Sequence, residues 1–373
     1  AGLPESRTPV TSRETLQITI FQSPFQIITT MKNRIFAMAA LAAALLASCN
    51  KETEMINLAP ETRPDGASVT ITLSSGDDAQ TRAFFDATAT AEAWEKSLSS
   101  LSVFTFSASG DLLLRRDFTA SELASKSATF SLPKSAAGTE CSFYAIANYD
   151  ASSAKTKSAL TALVEKSAGE YNGTFADVST KVLRSGGFVM SGSTTKTVGA
   201  VNTSTQVGIS LKRTVAKVAL QTTIAPEFSE KYPGSITINS VKLSRAASQS
   251  LVVAGEPSTG AMTYTHTQTP GTVSSKYNSL FYLYETGTLN AGSRVLLEIN
   301  ATYDSDGSSS TSDDRSEVTY SVELTGKAAG QILRNGYYRV AANITGLVGQ
   351  DCQVSVTVAD WETPVTQSVD LGA

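Results

Sequence analysis

From Ser68 onward the chain switches strictly between small polar and apolar residues: Val69, Ile71 and Leu73 fall on one face, Ser68, Thr70 and Thr72 on the other. That period of two predicts a strand with one face buried. A Gly-Asp-Asp turn at 76–78 follows, then the segment Thr81-Arg82-Ala83-Phe84. Ala91, Trp94, Leu98 and Leu101 recur at three- and four-residue spacing, which predicts a short amphipathic helix leading into a strand over 101–106. Another strand is expected over 141–148, and a helix over 154–166 with Leu160, Leu163 and Val164 on one face.

The second half is almost wholly β in pattern. Val295, Leu297, Ile299, Ala301 and Tyr303 alternate with polar neighbours, as do Val318, Tyr320, Val322 and Leu324, and again Tyr338, Val340, Ala342 and Ile344. Period-two runs separated by Gly, Ser and Asp turns predict sandwiches with one solvated face per sheet. On that reading Tyr282 and Tyr284 sit on a solvated face. A length of 373 residues with 41% hydrophobic content can bury one large core or two ordinary ones, and the length favours two domains.

Charge and export signals narrow the setting. Only 17% of residues are charged, the net charge is -4, and no Lys/Arg block occurs, so nucleic acid is not expected as a partner. Lys32 and Arg34 precede the uncharged run Ile35 to Ala47, which ends in Leu46-Ala47-Ser48-Cys49. A basic start, an apolar run too short to span a bilayer and a closing Cys read as a lipoprotein signal peptide over 31–48, with Cys49 the lipidated thiol. Residues 1–30, ahead of Met31, read as a non-native upstream extension. Cys141 and Cys352 then remain. An inter-domain disulfide is open to them, but Cys352 opens an alternating run that places it on an apolar face, which favours a buried thiol.

Few residues point to chemistry. The sole histidine, His266, stands in a Thr-rich stretch without an acidic neighbour, and no GxSxG, P-loop, GxGxxG or HExxH motif occurs. The loop Asp304 to Arg315 lacks the spacing of an EF-hand. Trp94 and Trp361 are explained by packing. The expectation is no catalytic residue, no cofactor, no metal and no enzyme.

Val365, Gln367, Val369 and Leu371 alternate with Thr366, Ser368 and Asp370, so the chain ends in a strand whose pattern echoes that of Val69 to Leu73. An Arg-Ala bond follows the first strand. If a protease cut there, the first strand could vacate a groove and a neighbour's last strand could fill it by β-augmentation.

These features resemble the fimbrillin family of Bacteroidetes type V pili. The resemblance spans nearly the whole chain from Met31. It rests on Leu46 to Cys49, on Thr81-Arg82-Ala83-Phe84 ahead of Val103 and Phe104, on Ile209-Ser210-Leu211-Lys212-Arg213, on Arg334-Asn335-Gly336-Tyr337-Tyr338 with Ile344-Thr345-Gly346, and on Val356 to Trp361. It implies a mainly β fold of two transthyretin-like, Greek-key β-sandwich domains, at 83–205 and 206–373, with one or two short helices in the first. It implies a lipidated propeptide, 49–82, that includes the first strand. Cys49 would hold the precursor at the outer membrane, an Arg-specific protease would cut between Arg82 and Ala83, and the donor strand 363–373 would present Val365, Val369 and Leu371. Arg63 is a poorer site because Pro64 follows it. The implied function is a structural subunit of an adhesive surface fimbrium, polymerised with other fimbrial subunits by donor-strand exchange. The competing reading is a monomeric surface lipoprotein that binds a glycan or a host protein.

Overall fold

Alternating runs of the kind found along this chain can bury their apolar face only by pairing into sheets that stack on one another. The computed structural model describes residues 66–74, 85, 91–257, 262–326 and 329–347, together with the backbone of 355–360. These residues all fall within one compact unit.

Nine strands come first: β1 (Ala67–Ser74), β2 (Leu101–Phe106), β3 (Leu112–Asp117), β4 (Ser127–Leu132), β5 (Glu140–Ala147), β6 (Val164–Glu165), β7 (Met190–Thr197), β8 (Ser204–Ser210) and β9 (Lys212–Arg213). A sheet of order β4-β1-β8 and a sheet of order β3-β2-β5-β7-β9 enclose a core that includes Val69, Ile71, Leu132, Phe143 and Met190. The two sheets approach closely at Gly192 of β7, where a Cβ would stand 2.1 Å from the Ser210 carbonyl oxygen. Only glycine admits that approach. The strand spanning the boundary expected at 205 and 206, β8, pairs with β1 in this first sandwich.

Ten strands follow: β10 (Val215–Ile224), β11 (Ser235–Ala246), β12 (Ser250–Leu251), β13 (Tyr264–Gln268), β14 (Gly271–Val273), β15 (Lys276–Tyr284), β16 (Leu296–Asp304), β17 (Arg315–Glu323), β18 (Gly336–Ile344) and β19 (Ser355–Asp360). A sheet of order β14-β15-β10-β18-β19 faces one of order β13-β11-β16-β17 across a second core, with Leu220, Phe281, Ile299 and Val340 inside. The chain is thus mainly β and built as two sandwiches, as the alternation predicts. Both sandwiches place their first strand internally. β1 lies between antiparallel β4 and parallel β8, and β10 between antiparallel β15 and parallel β18.

Three local expectations are corrected. The helix expected over 154–166 is confined to Lys157–Thr161, capped by the Thr156 hydroxyl, because Val164–Glu165 instead pairs with Ser250–Leu251 as β6 against β12. The helix expected from Ala91 is a single 3-10 turn, Ala93–Lys96, with Ala91 and Leu101 buried and Trp94 and Leu98 packed on the core. Tyr282 and Tyr284 are not on a solvated face: both are buried, because the outer face of their sheet is covered by the first sandwich. A sheet covered on both faces loses the alternation that a half-buried sheet shows. Cys141 is a buried free thiol; Cys352 and Trp361 lie outside the residues whose side chains are described.

Candidate functional site: the first strand and the joint beside it

β1 owes its position to its pattern. Ala67, Val69, Ile71 and Leu73 point into the core, and the first three are fully buried. Across the antiparallel ladder Ala67 faces Leu132, Val69 faces Phe130 and Ile71 faces Ala128. Across the parallel ladder Ile71 faces Val207 and Leu73 faces Ile209. The outer face is polar and loosely tied, with the Thr70 and Thr129 hydroxyls 2.9 Å apart and the Ser127 hydroxyl donating to the Ile71 carbonyl at 3.1 Å. At the far end of the strand Leu211 N donates to the Ser74 carbonyl at 2.9 Å.

Magnitudes show what this strand contributes. Burying Val69, Ile71 and Leu73 is worth roughly 1.5–3 kcal/mol each, and each net ladder hydrogen bond adds about 0.5–1.5 kcal/mol. The sum approaches the whole stability of an ordinary domain, about 5–15 kcal/mol. Without β1, strands β4 and β8 would border an apolar slot walled by Ala128, Phe130, Leu132, Val207 and Ile209, with main-chain donors and acceptors unpaired along both sides. Such a slot accepts an extended segment with alternating apolar residues.

Downstream of β1 the chain is fixed to the second sandwich. Phe85 lies under the Arg339 guanidinium of β18, 4.7 Å from ring centre to Cζ, and Arg339 Nη2 donates to the Phe85 carbonyl at 2.9 Å. Glu95, in the 3-10 turn, is fully buried. Its carboxylate takes the Lys217 ammonium at 2.7 Å, the Tyr282 hydroxyl at 2.9 Å and the Glu92 amide at 2.8 Å, while Arg213 Nε donates to its carbonyl at 2.9 Å. Burial alone would push the Glu95 carboxyl up, but Lys217, Arg213 and these hydrogen bonds hold it below its ordinary value. The Tyr282 hydroxyl is pushed well above its usual range by burial and by the Glu95 charge.

Two further buried carboxylates occupy the same joint. Glu165 accepts from the Tyr171 hydroxyl and from Thr214 at 2.7 Å and pairs with Arg184 at 3.3 Å; burial nevertheless raises its pKa. Glu285 pairs with Arg334, whose Nη2 also donates to the Leu251 carbonyl at 2.8 Å. Just beyond, Val252 and Val253 reach over to the outer face of the first sandwich and pack with Phe104, Phe106, Ile146 and Val189. The joint is therefore stapled by charge on one side and by an apolar arm on the other. Sequence reading missed all three carboxylates, because their partners stand far away along the chain.

Cys49, Arg82, Ala83, Val365, Val369 and Leu371 lie outside the described residues. His266 is half-buried in β13, with Nε2 3.1 Å from the Gly173 carbonyl and its ring edge against Phe281, a packing role. The hairpin loop between β16 and β17 brings Asp304, Asp306 and Asp314 together, yet Arg315 pairs with Asp304 at 3.0 Å and Ser305 and Thr311 donate to the other two. Among the described residues no helix is long and apolar enough to cross a membrane.

This fold of paired β-sandwiches is shared with solved structures of bacterial proteins. A fimbrilin from Porphyromonas gingivalis superposes with a TM-score of 0.55 at 17% identity, over 81% of this chain and 99% of that one. Candidate cell adhesion proteins from Parabacteroides distasonis (TM-score 0.55, 15% identity, 82% and 99% covered) and Bacteroides eggerthii (0.52, 19%, 80% and 97%) share the fold. No curated protein matches in sequence. Residues 67–324 match the profile of the major fimbrial subunit protein (FimA), so the chain belongs to that family. It is a fimbrial subunit, its place is the cell-surface fimbrium, and its partners are other fimbrial subunits.

Proposed function

We propose that the chain is a structural, non-enzymatic subunit exported as a lipoprotein on Cys49, released by cleavage between Arg82 and Ala83, and polymerised by exchange of β1 for a neighbour's strand 363–373. The observation that carries this reading is the placement of β1. It is an internal strand with a fully apolar inner face, and the route from it to Phe85 runs through the Arg82–Ala83 bond. Cutting that bond would free β1 while leaving the new N-terminal segment held by Phe85 on Arg339 and Glu95 on Lys217.

The tail fits the vacated slot by pattern. Val365, Gln367, Val369 and Leu371 repeat the spacing of Ala67, Val69, Ile71 and Leu73, with one polar residue among four. The outer membrane would hold the precursor through lipid, and an Arg-specific protease would be a transient partner. N-terminal sequencing of the subunit taken from isolated fimbriae tests the reading directly: a start at Ala83 is expected, and a lipidated start at Cys49 in fibres would overturn it.

A further inference from the structure

A cavity of about 400 Å³ opens at one end of the five-stranded sheet of the first sandwich. Its walls come from four stretches, Ser99 to Ser102 entering β2, Arg115, Asp117 and Phe118 at the end of β3, Asn148 to Asp150 leaving β5, and Arg184 and Gly186 before β7, with Leu123 of the short helix Ala120–Ser125 added. None of these four stretches belongs to β1, β4 or β8, although Leu101 and Phe118 share the core that Val69 and Ile71 of β1 enter.

These walls are tied to one another. Asn148, at φ 60°, accepts at Oδ1 from the Ser99 amide at 2.8 Å and the Ser99 hydroxyl at 3.0 Å, and donates from Nδ2 to the Ser97 and Phe188 carbonyls at 2.9 and 2.7 Å. Arg184 Nη1 donates to the carbonyls of Asn148 and Gly187, both at 3.0 Å. At Gly187, φ 97°, a Cβ would stand 3.0 Å from Asn148 Nδ2. A polar cavity with its loops fixed before any ligand arrives avoids an ordering cost on binding.

The chemistry of the lining selects the ligand. Each guanidinium has a carboxylate beside it, Arg115 with Asp117 at 2.9 Å and Arg184 with Glu165 at 3.3 Å, and this local charge balance weighs against an anion. Small-ligand pockets of roughly 300–1,000 Å³ are mostly apolar, whereas this one is rimmed by Ser100, Tyr149 and Asp150 over a base of Leu101 and Phe118. Hydroxyl and carboxylate groups around an aromatic wall and an apolar base match a molecule with a C–H face and a ring of hydroxyls.

We propose that this cavity is a recognition site for a neutral sugar, taking one or two terminal rings of a glycan. The Tyr149 ring flanks the C–H face of the sugar, and Asp150 and Ser100 meet its hydroxyls. The subunit then contributes adhesion along the fibre rather than serving only as a building block.

The test uses the full chain with saturation-transfer NMR and equilibrium titration against neutral mono- and disaccharides, with sialylated and sulfated sugars alongside. Ser100→Trp fills the cavity from an exposed position, and Asp150→Asn removes an exposed charge while keeping the Oδ1 that accepts from the Ser152 amide at 2.9 Å. Saturation transfer to a neutral sugar is expected, weakened by at least about tenfold in each variant with the thermal midpoint unchanged. Absence of transfer to every neutral sugar, binding of the anionic sugars alone, or full binding by Ser100→Trp would overturn the proposal. Because binding is read on the unpolymerised chain, its failure is separable from a failure of strand exchange.

Discussion

Glu95 and Lys217 meet at 2.7 Å with side chains almost wholly buried, one from the turn that opens the first sandwich after β1 and the other from the first strand of the second sandwich. Losing one member of such a pair leaves an uncompensated charge in a low-dielectric site, at a cost of about 3–5 kcal/mol. Lys217→Met is expected to destabilise the chain by that amount in urea unfolding. The double variant Lys217→Met with Glu95→Leu is expected to recover much of the loss, since neither charge then remains.

The pH dependence of the joint has two opposing parts. The folded Glu95 carboxyl sits below its unfolded value of about 4.3, so its stabilisation is complete above that pH and fades as pH falls through the lower folded value. The folded Glu165 carboxyl sits above its unfolded value. Its contribution is present below the unfolded value and is lost as pH rises through the folded one. Urea midpoints measured between about pH 3.5 and 7.5 should therefore show wild type losing its advantage over Glu95→Gln at the acid end. Against Glu165→Gln, wild type should gain as pH falls.

The arm at Val252 and Val253 gives a third check. Both side chains cover the outer face of the sheet holding Phe104, Ile146 and Val189. Val252 is fully buried, and its carbonyl takes the Ser191 hydroxyl at 2.6 Å. Val252→Asp places a carboxylate in that apolar contact and is expected to loosen the joint between sandwiches before either core melts. Amide exchange should speed up around β6 and β12 while β16 stays protected.

The sandwiches and their strands were legible because half-buried strands declare themselves by period two: Val69, Ile71 and Leu73 alternate with Ser and Thr, and so do Leu297, Ile299 and Ala301 with Glu298 and Asn300. The joint was not legible. Tyr282, Tyr284 and Lys217 lie in strands covered on both faces, where alternation vanishes and a buried charge looks like a solvated one. The side-chain partners of Glu95, Lys217 and Tyr282, stand 122 and 187 residues away along the chain. The cavity beside Asn148 is assembled from strand ends, loops and a helix residue that are separate along the chain, none of which carries a motif of its own. At the first strand the sequence was more informative, since the alternation of Val69, Ile71 and Leu73 is what seats β1 in the core, and the proposed substitution of the tail for it rests on a like alternation.

That substitution is open to direct test. If the tail is the donor, Val365, Val369 and Leu371 contribute to a neighbour's first sandwich and little to their own, so deleting 363–373 should give a folded, processed monomer that cannot extend a fibre. Burial of the three residues is worth roughly 1.5–3 kcal/mol each, so one truncation to Ala would only weaken the joint between subunits. Val369→Asp with Leu371→Asp forces two carboxylates into a slot walled by Phe130, Val207 and Ile209, and is expected to act like the deletion. On the recipient side, Ile71→Asp places a charge at a fully buried position of β1 and should unfold the precursor, whose first sheet depends on that strand. The two lesions thus part company: tail variants keep the wild-type thermal midpoint and lose the polymer ladder, whereas the β1 variant loses the midpoint itself. A tail deletion that melts early, or that still assembles full-length fibres, would show that residues 363–373 serve their own domain instead.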